Sequence, residues 1–142
     1  MKSLVRSRRS QKGAGLIYWA ACIALVGFVA TFLVKVVPIY LDNKLVQTGL
    51  KSLVKDGTRL ADLSDEDIKK RLYNFYNINN VRSNEPTKGL KIDRSQNDRI
   101  IVKADYQEQV SFIANIDLLL TFENHLDSSL PDLCCRPKAK IE

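Results

Sequence analysis

Few side chains in this 142-residue sequence could carry covalent chemistry, and none is arranged to do so. His125 is the single histidine, and no nucleophile, catalytic acid or metal-ligand spacing surrounds it. An enzyme site needs a positioned base, a nucleophile or a metal, each with recognisable neighbours. Cys134 and Cys135 are adjacent, and Cys22 stands in an apolar run far from both. Free thiols, an intermolecular link and a vicinal disulfide are all open to the adjacent pair. Even with His125 the pair falls short of the four ligands of a standard zinc spacing. No catalytic, cofactor-binding or metal-binding residue is therefore expected, and the chain reads as non-enzymatic and free of cofactor. The remaining candidates are Asn77, Asn79 and Asn80. Asparagines favour turns and caps, so this run either shapes a loop for a partner or ends a helix ahead of a strand.

The element that dominates the chain is the run from Ala14 to Val34, which holds no charged residue. A stretch of about 20 apolar residues crosses the roughly 30 Å hydrocarbon layer as a helix, because a helix satisfies its own backbone groups in lipid. A cleaved secretory signal has a shorter apolar region, about 7–15 residues, closed by a small-x-small site. Here the run continues through Val36, Val37 and Pro38 without such a site, so the segment is expected to be retained. Lys35, one residue past the uncharged run, can snorkel to the headgroups. Tyr18, Trp19 and Tyr40 suit the aromatic belts at the two interfaces. Small residues are frequent in the span. Gly15, Ala20, Ala24 and Gly27 are the candidates for close packing against a second helix, although Gly-x-x-x-Gly spacing is absent.

Charge sets the orientation. Lys2, Arg6, Arg8, Arg9 and Lys12 precede the span with no acidic residue among them, so the positive-inside rule keeps residues 1–13 cytoplasmic. The span is expected over residues 14–37, and the rest then lies on the far side, which in a Gram-negative bacterium is the periplasm. Five of the 22 Lys and Arg residues belong to the tail, which leaves 17 against 16 Asp and Glu and a net charge of only +1 beyond it. No basic face remains to bind nucleic acid. The tail marks topology and touches anionic lipid, so the bilayer is the first partner.

Beyond the membrane the helical pattern persists in Leu41, Leu45, Val46, Leu50, Leu53 and Val54. Pro38 is expected to bend this helix and Asp56-Gly57 to stop it near Lys55. A second helix begins at Ser64, an N-cap with Asp67 in capping-box position and Leu63 with Ile68 as a hydrophobic staple. Ile68, Leu72 and Phe75 form its apolar stripe. The period then changes to two. Leu90 and Ile92 form one strand; after the turn-rich SQND, Ile100, Val102, Ala104 and Tyr106 form a second. Ile116, Leu118, Leu120 and Phe122 form a third after a turn at Ala114-Asn115. The expected class is α+β: a long transmembrane and amphipathic helix, plus a second helix, packed on a three-stranded antiparallel sheet. The folded domain is expected over residues 38–123, and a loosely ordered tail over 124–142.

Residues Gln11 to Leu53 resemble a type IV pilin N-terminus. The segment QKGAGLIYWAACIALVGFVATFLVKVVPIYLDNKL has the pilin order of basic leader, Lys-Gly pair, apolar helix and Pro-aromatic step. In pilins a glutamate stands fifth after the processing glycine, where it registers a new subunit in the filament. Counted from Ala14, that position is Tyr18, and the first position is Ala14 where a phenylalanine is usual. Processing after Gly13 and polymerisation as a major subunit are therefore not implied. The segments QKGAGLIYW, VKVVPIYLDNKL, YNINNV, VKADYQEQV and NIDLLLTFEN also resemble a family catalogued as domain of unknown function forty-eight forty-five. Its members are small single-span inner-membrane proteins of beta- and gammaproteobacteria, often encoded near signal peptidase I and ribonuclease III.

Together these resemblances imply a pilin-like protein that binds other inner-membrane proteins, type IV pilus components first among them, and modulates pilus assembly or dynamics. The gene neighbourhood implies the alternative, an accessory subunit of protein export or signal-peptide processing. The topology is testable: alkaline phosphatase fused after Glu142 is expected to be active. An inactive fusion, with activity only when the enzyme is joined before Ala14, reverses the orientation.

Overall fold

The computed structural model describes residues 14–55, 59–82, 85–96 and 99–135. The basic tail, Gly13, the expected stop at Asp56-Gly57 and the last seven residues, 136–142, lie outside these ranges. The chain divides into two compact units, residues 1–34 and 35–142.

Helix α1 runs unbroken over Ala14–Lys55, 42 residues with Pro38 inside it. It is long and apolar enough to cross a membrane. In the first unit its large apolar side chains, Leu16, Ile17, Trp19, Ile23 and Leu25 among them, are exposed.

In the second unit α1 turns one stripe into a core. Val36, Asn43, Val46, Leu50 and Leu53 are buried, and their spacing of three, four and seven residues is that of one helical face. Leu45 and Val54, expected in this stripe, flank it and are only half-buried, while Leu41 faces outward at 59% exposure. After a short 3₁₀ turn at Leu60–Asp62, helix α2 spans Asp65–Ile78. Its start is the expected capping box: the Asp67 amide donates to Ser64 Oγ (3.1 Å), and the Ser64 hydroxyl donates to Asp67 Oδ2 (2.6 Å). The buried face is Ile68, Leu72 and Tyr76, with Phe75 at its margin. Gly49 lets α1 and α2 approach, since a Cβ there would fall 2.8 Å from Tyr76 Cε1 and 2.9 Å from Phe75 Cδ1.

A single turn α3, Glu85–Lys88, leads through Gly89 into the sheet. A Cβ on Gly89 would lie 1.9 Å from the Asp105 carbonyl oxygen, so no other residue fits there without moving backbone. Strands β1 (Leu90–Gln96), β2 (Arg99–Ile113) and β3 (Ile116–Asp127) form an antiparallel sheet in the order β1-β2-β3. This is the α+β class expected. Even-numbered side chains face the helices: Ile100, Val102, Ala104, Tyr106 and Phe112 from β2, and Phe122, Asn124 and Leu126 from β3. Odd-numbered positions such as Lys103, Asp105, Gln107, Thr121 and Glu123 are exposed, as on a sheet with one solvated face.

Two expected boundaries move outward. The alternation continues beyond Tyr106, and β2 runs on to Ile113. The ordered domain also continues beyond residue 123, because β3 runs to Asp127 and buries Asn124 and Leu126, and a 3₁₀ turn at Pro131–Leu133 precedes a buried Cys135. The C-terminal stretch with its prolines hides this, since its packing is tertiary and has no period. Ala114, the first residue of the β2–β3 turn, has φ of 49°. Hairpin turns of types I′ and II′ both need a positive φ at that position.

The far end of the β2–β3 pair is clamped by an ion pair. Arg99 Nε donates to both carboxylate oxygens of Asp127 at 3.0 Å, and Nη2 lies 2.5 Å from Oδ2. Ser129 donates to the same carboxylate through its amide (3.1 Å) and hydroxyl (2.6 Å). The Arg99 hydrogen bonds, and then those from Ser129, hold the Asp127 carboxyl well below the ordinary carboxylate range. A carboxylate held down in this way stabilises the fold above its unfolded value of about 3.9, and the contribution is lost as pH falls toward the folded value. Asp127→Ala is expected to cost about 2–3 kcal/mol at neutral pH. Its loss of stability on acidification should be shallower than that of the parent, and parallel slopes in denaturant titrations from pH 6 to pH 3 would count against this clamp.

Candidate functional site

The chemistry-bearing residues are not brought together. His125 stands within β3, directly opposite Lys103 in β2. Cys134 and Cys135 are joined to each other as a vicinal disulfide, and Cys22 is a free thiol. No group of three or more His, Cys, Asp or Glu among the described residues is placed to hold a metal ion.

What the fold does bring together is a set of polar side chains under the sheet. Asn43 comes from α1, Tyr106 from β2 and Asn124 from β3, and all three are buried. Asn43 Oδ1 accepts from Tyr106 Oη (3.2 Å) and Asn124 Nδ2 (2.8 Å). Asn124 Nδ2 also reaches the Ala104 carbonyl (3.5 Å), and Asn124 Oδ1 accepts from Gln47 Nε2 (3.1 Å). Burial, followed by Glu108, Tyr76 and Asp42, pushes the Tyr106 hydroxyl well above its ordinary range. It therefore stays a donor at any physiological pH. Tyr76 Oη and Glu108 Oε2 are buried without a hydrogen-bond partner among the described residues. Buried polar groups cost about 1–3 kcal/mol when left unpaired, so the three bonded side chains specify how α1 seats on the sheet.

The asparagine run has a local task. Helix α2 ends at Ile78, and Asn79 caps it through its amide side chain to the Phe75 carbonyl (2.8 Å). Asn80 takes φ of 55°, and the Val81 amide reaches back to the Tyr76 carbonyl (2.9 Å). A left-handed residue followed by this six-to-one bond is the common way to close a helix, and Asn is second only to Gly in tolerating it. Asn77, Asn79 and Asn80 remain exposed, so the cap also presents a polar corner.

Gly15, Ala20, Ala24 and Gly27 are exposed along α1, and a Cβ at Gly15 or Gly27 would meet nothing within 4 Å. At about 100° per residue, Ala20, Ala24 and Gly27 share one face, whereas Gly15 lies roughly 140° away from Ala20. On the outer side of the sheet an open groove of about 480 Å³ is lined by Glu85, Lys88, Asp105, Gln107, Thr121 and Glu123. It was not legible in the sequence, because α3 and the pairing of Asp105 with Glu123 create it.

Residues 35–122 match the family model described as domain of unknown function DUF4845. The chain belongs to this family. No curated protein and no solved structure matches the chain. The matched range starts at the boundary between the two compact units and ends within β3, so it covers most of the folded domain and leaves QKGAGLIYW outside. The four other segments that carried the resemblance each supply a buried residue of one region: Asn43, Tyr76, Tyr106 and Asn124.

Asn124→Leu, which removes one of the two donors to Asn43 Oδ1 and the acceptor of Gln47 Nε2, is expected to cost about 2–3 kcal/mol. For a domain of this size that lowers Tm by roughly 10–20 °C. Thr121→Ala on the exposed face serves as control and should stay within about 0.5 kcal/mol of the parent. Similar losses in the two variants by thermal melting would mean that the network does not organise the core.

Proposed function

We propose that the protein is a non-enzymatic, pilin-like interaction module of the bacterial inner membrane. In this reading its N-terminus is cytoplasmic and its α+β domain periplasmic. It binds other membrane-anchored proteins and modulates type IV pilus assembly or dynamics.

The observation that carries the proposal is the division of α1. One uninterrupted helix supplies an apolar half fit for lipid and a half whose stripe of Val46, Leu50 and Leu53 is packed into an antiparallel sheet domain. That build resembles a pilin subunit. The residue at the register position is Tyr18, whose neutral phenol offers none of the ionic attraction that a carboxylate gives a neighbouring N-terminal amine in a low-dielectric filament core. A pilin-like build without the register charge suits a protein that meets the assembly machinery without entering the filament.

Deletion is expected to change pilus number, length or twitching, while sheared filaments contain none of the protein. Normal piliation and motility in the deletion strain, or abundance of the protein in purified filaments, overturns the reading. Co-purification with signal peptidase or the translocon in place of pilus proteins would move export accessory to the front.

A further inference from the structure

Strand β2 runs antiparallel to the second half of α1. Tyr106 meets Asn43, and five residues further along β2 the Ser111 and Phe112 carbonyls accept from Lys35 Nζ at 2.5 and 3.0 Å. The pairing of β2 with β3 skips Phe112, and that irregularity is where the lysine bonds. The turn that follows, Ile113 to Ile116, therefore lies at the same end of the domain as Lys35. Lys35 is also the first charge after the uncharged run that starts at Ala14, so it marks the headgroup level of the bilayer.

The composition of that end of the domain fits the position. Residues 112–116, Phe-Ile-Ala-Asn-Ile, carry no charge. Ile113 is 42% exposed and Ile116 59%, and they face each other across the turn. On α1, within about two turns of Lys35, Val37 and Tyr40 are exposed as well. The nearest acid, Asp117, has its carboxylate bound back toward β2 by Ser111 Oγ (2.7 Å) and Gln109 Nε2 (2.8 Å). Isoleucines at the tip of a hairpin, at lipid-headgroup height, have a ready apolar phase to enter.

We propose that the β2–β3 turn is a membrane-docking loop. Ile113 and Ile116 insert into the boundary between headgroups and acyl chains of the bilayer that α1 crosses, and Lys35 ties the turn at that depth. The domain is then seated on the membrane surface at two points, α1 and the turn, which restricts its tilt. This inference rests on the reading of α1 as a membrane span.

The chain has one tryptophan, Trp19, and it lies in the span, so depth can be read by fluorescence in the full-length protein. The protein is reconstituted in phosphatidylethanolamine and phosphatidylglycerol vesicles, with or without bromine on the acyl chain near the headgroups. Trp19 in the parent reports the span. Trp19→Phe combined with Ile116→Trp reports the turn, and Trp19→Phe with Leu130→Trp reports the opposite end of the sheet. Brominated lipid is expected to lower the Ile116→Trp emission about twofold and to leave the Leu130→Trp emission nearly unchanged. Adding Ile113→Asp to the Ile116→Trp variant should abolish the quenching, which separates docking by the native tip from attraction of the probe itself. Quenching of Trp19 without quenching at position 116, or quenching at 116 that survives Ile113→Asp, overturns the docking loop and leaves the span standing. Absence of quenching at Trp19 removes the span and the loop together.

Discussion

The folded domain depends on the burial of one stripe of α1. A three-stranded sheet with a single covering helix is too small to exclude water from Val102, Ala104, Phe122 and Leu126, all of which are buried. Val46, Leu50 and Leu53 close that gap, each at 2% exposure or less, and a fully buried residue of this kind contributes about 1.5–3 kcal/mol. Anchor and core are therefore one element. Anything that unseats the second half of α1 opens the domain.

Apolar burial is non-directional, so it does not fix how far α1 slides along the sheet. The hydrogen bonds of Asn43 with Tyr106 and Asn124 do, because only one axial position satisfies all of them. The same groups guard the strand register. A one-residue slip of β3 would turn Asn124 to solvent and leave Asn43 buried with one donor fewer. Lys35 and the Arg99–Asp127 clamp then hold opposite ends of the β2–β3 pair. Polar contacts thus set the geometry that the apolar core stabilises.

The parts legible in the sequence are those written in local chemistry. Ser64 and Asp67 announce α2, because a cap and its partner lie within one turn of chain. The strands announce themselves by period, and the span by length. The network is illegible for the opposite reason: Asn43 and Asn124 lie 81 residues apart, and each alone looks like a polar residue spoiling an apolar pattern. The stripe on α1 is placed almost correctly, but Leu45 and Val54 fall to its flanks, since the sequence shows an apolar sector and only packing chooses its centre. The asparagine run is ambiguous by nature. Residues that tolerate left-handed backbone close helices and also populate recognition loops, and Asn80 at φ 55° does the first.

On the proposed reading, a domain held to a membrane by the helix that also supplies its core would meet partners under unusual terms. A partner anchored in the same bilayer is confined to the same thin layer, and that raises the effective concentration without any added contact. The interface then needs little apolar area, and a polar outer face of the kind formed by Lys103, Asp105, Gln107 and Glu123 suffices. Such a face discriminates by charge pattern more than by burial, and it avoids a large exposed apolar patch that would associate indiscriminately. Orientation becomes the scarce quantity. A second contact at the hairpin turn would fix the direction of that face.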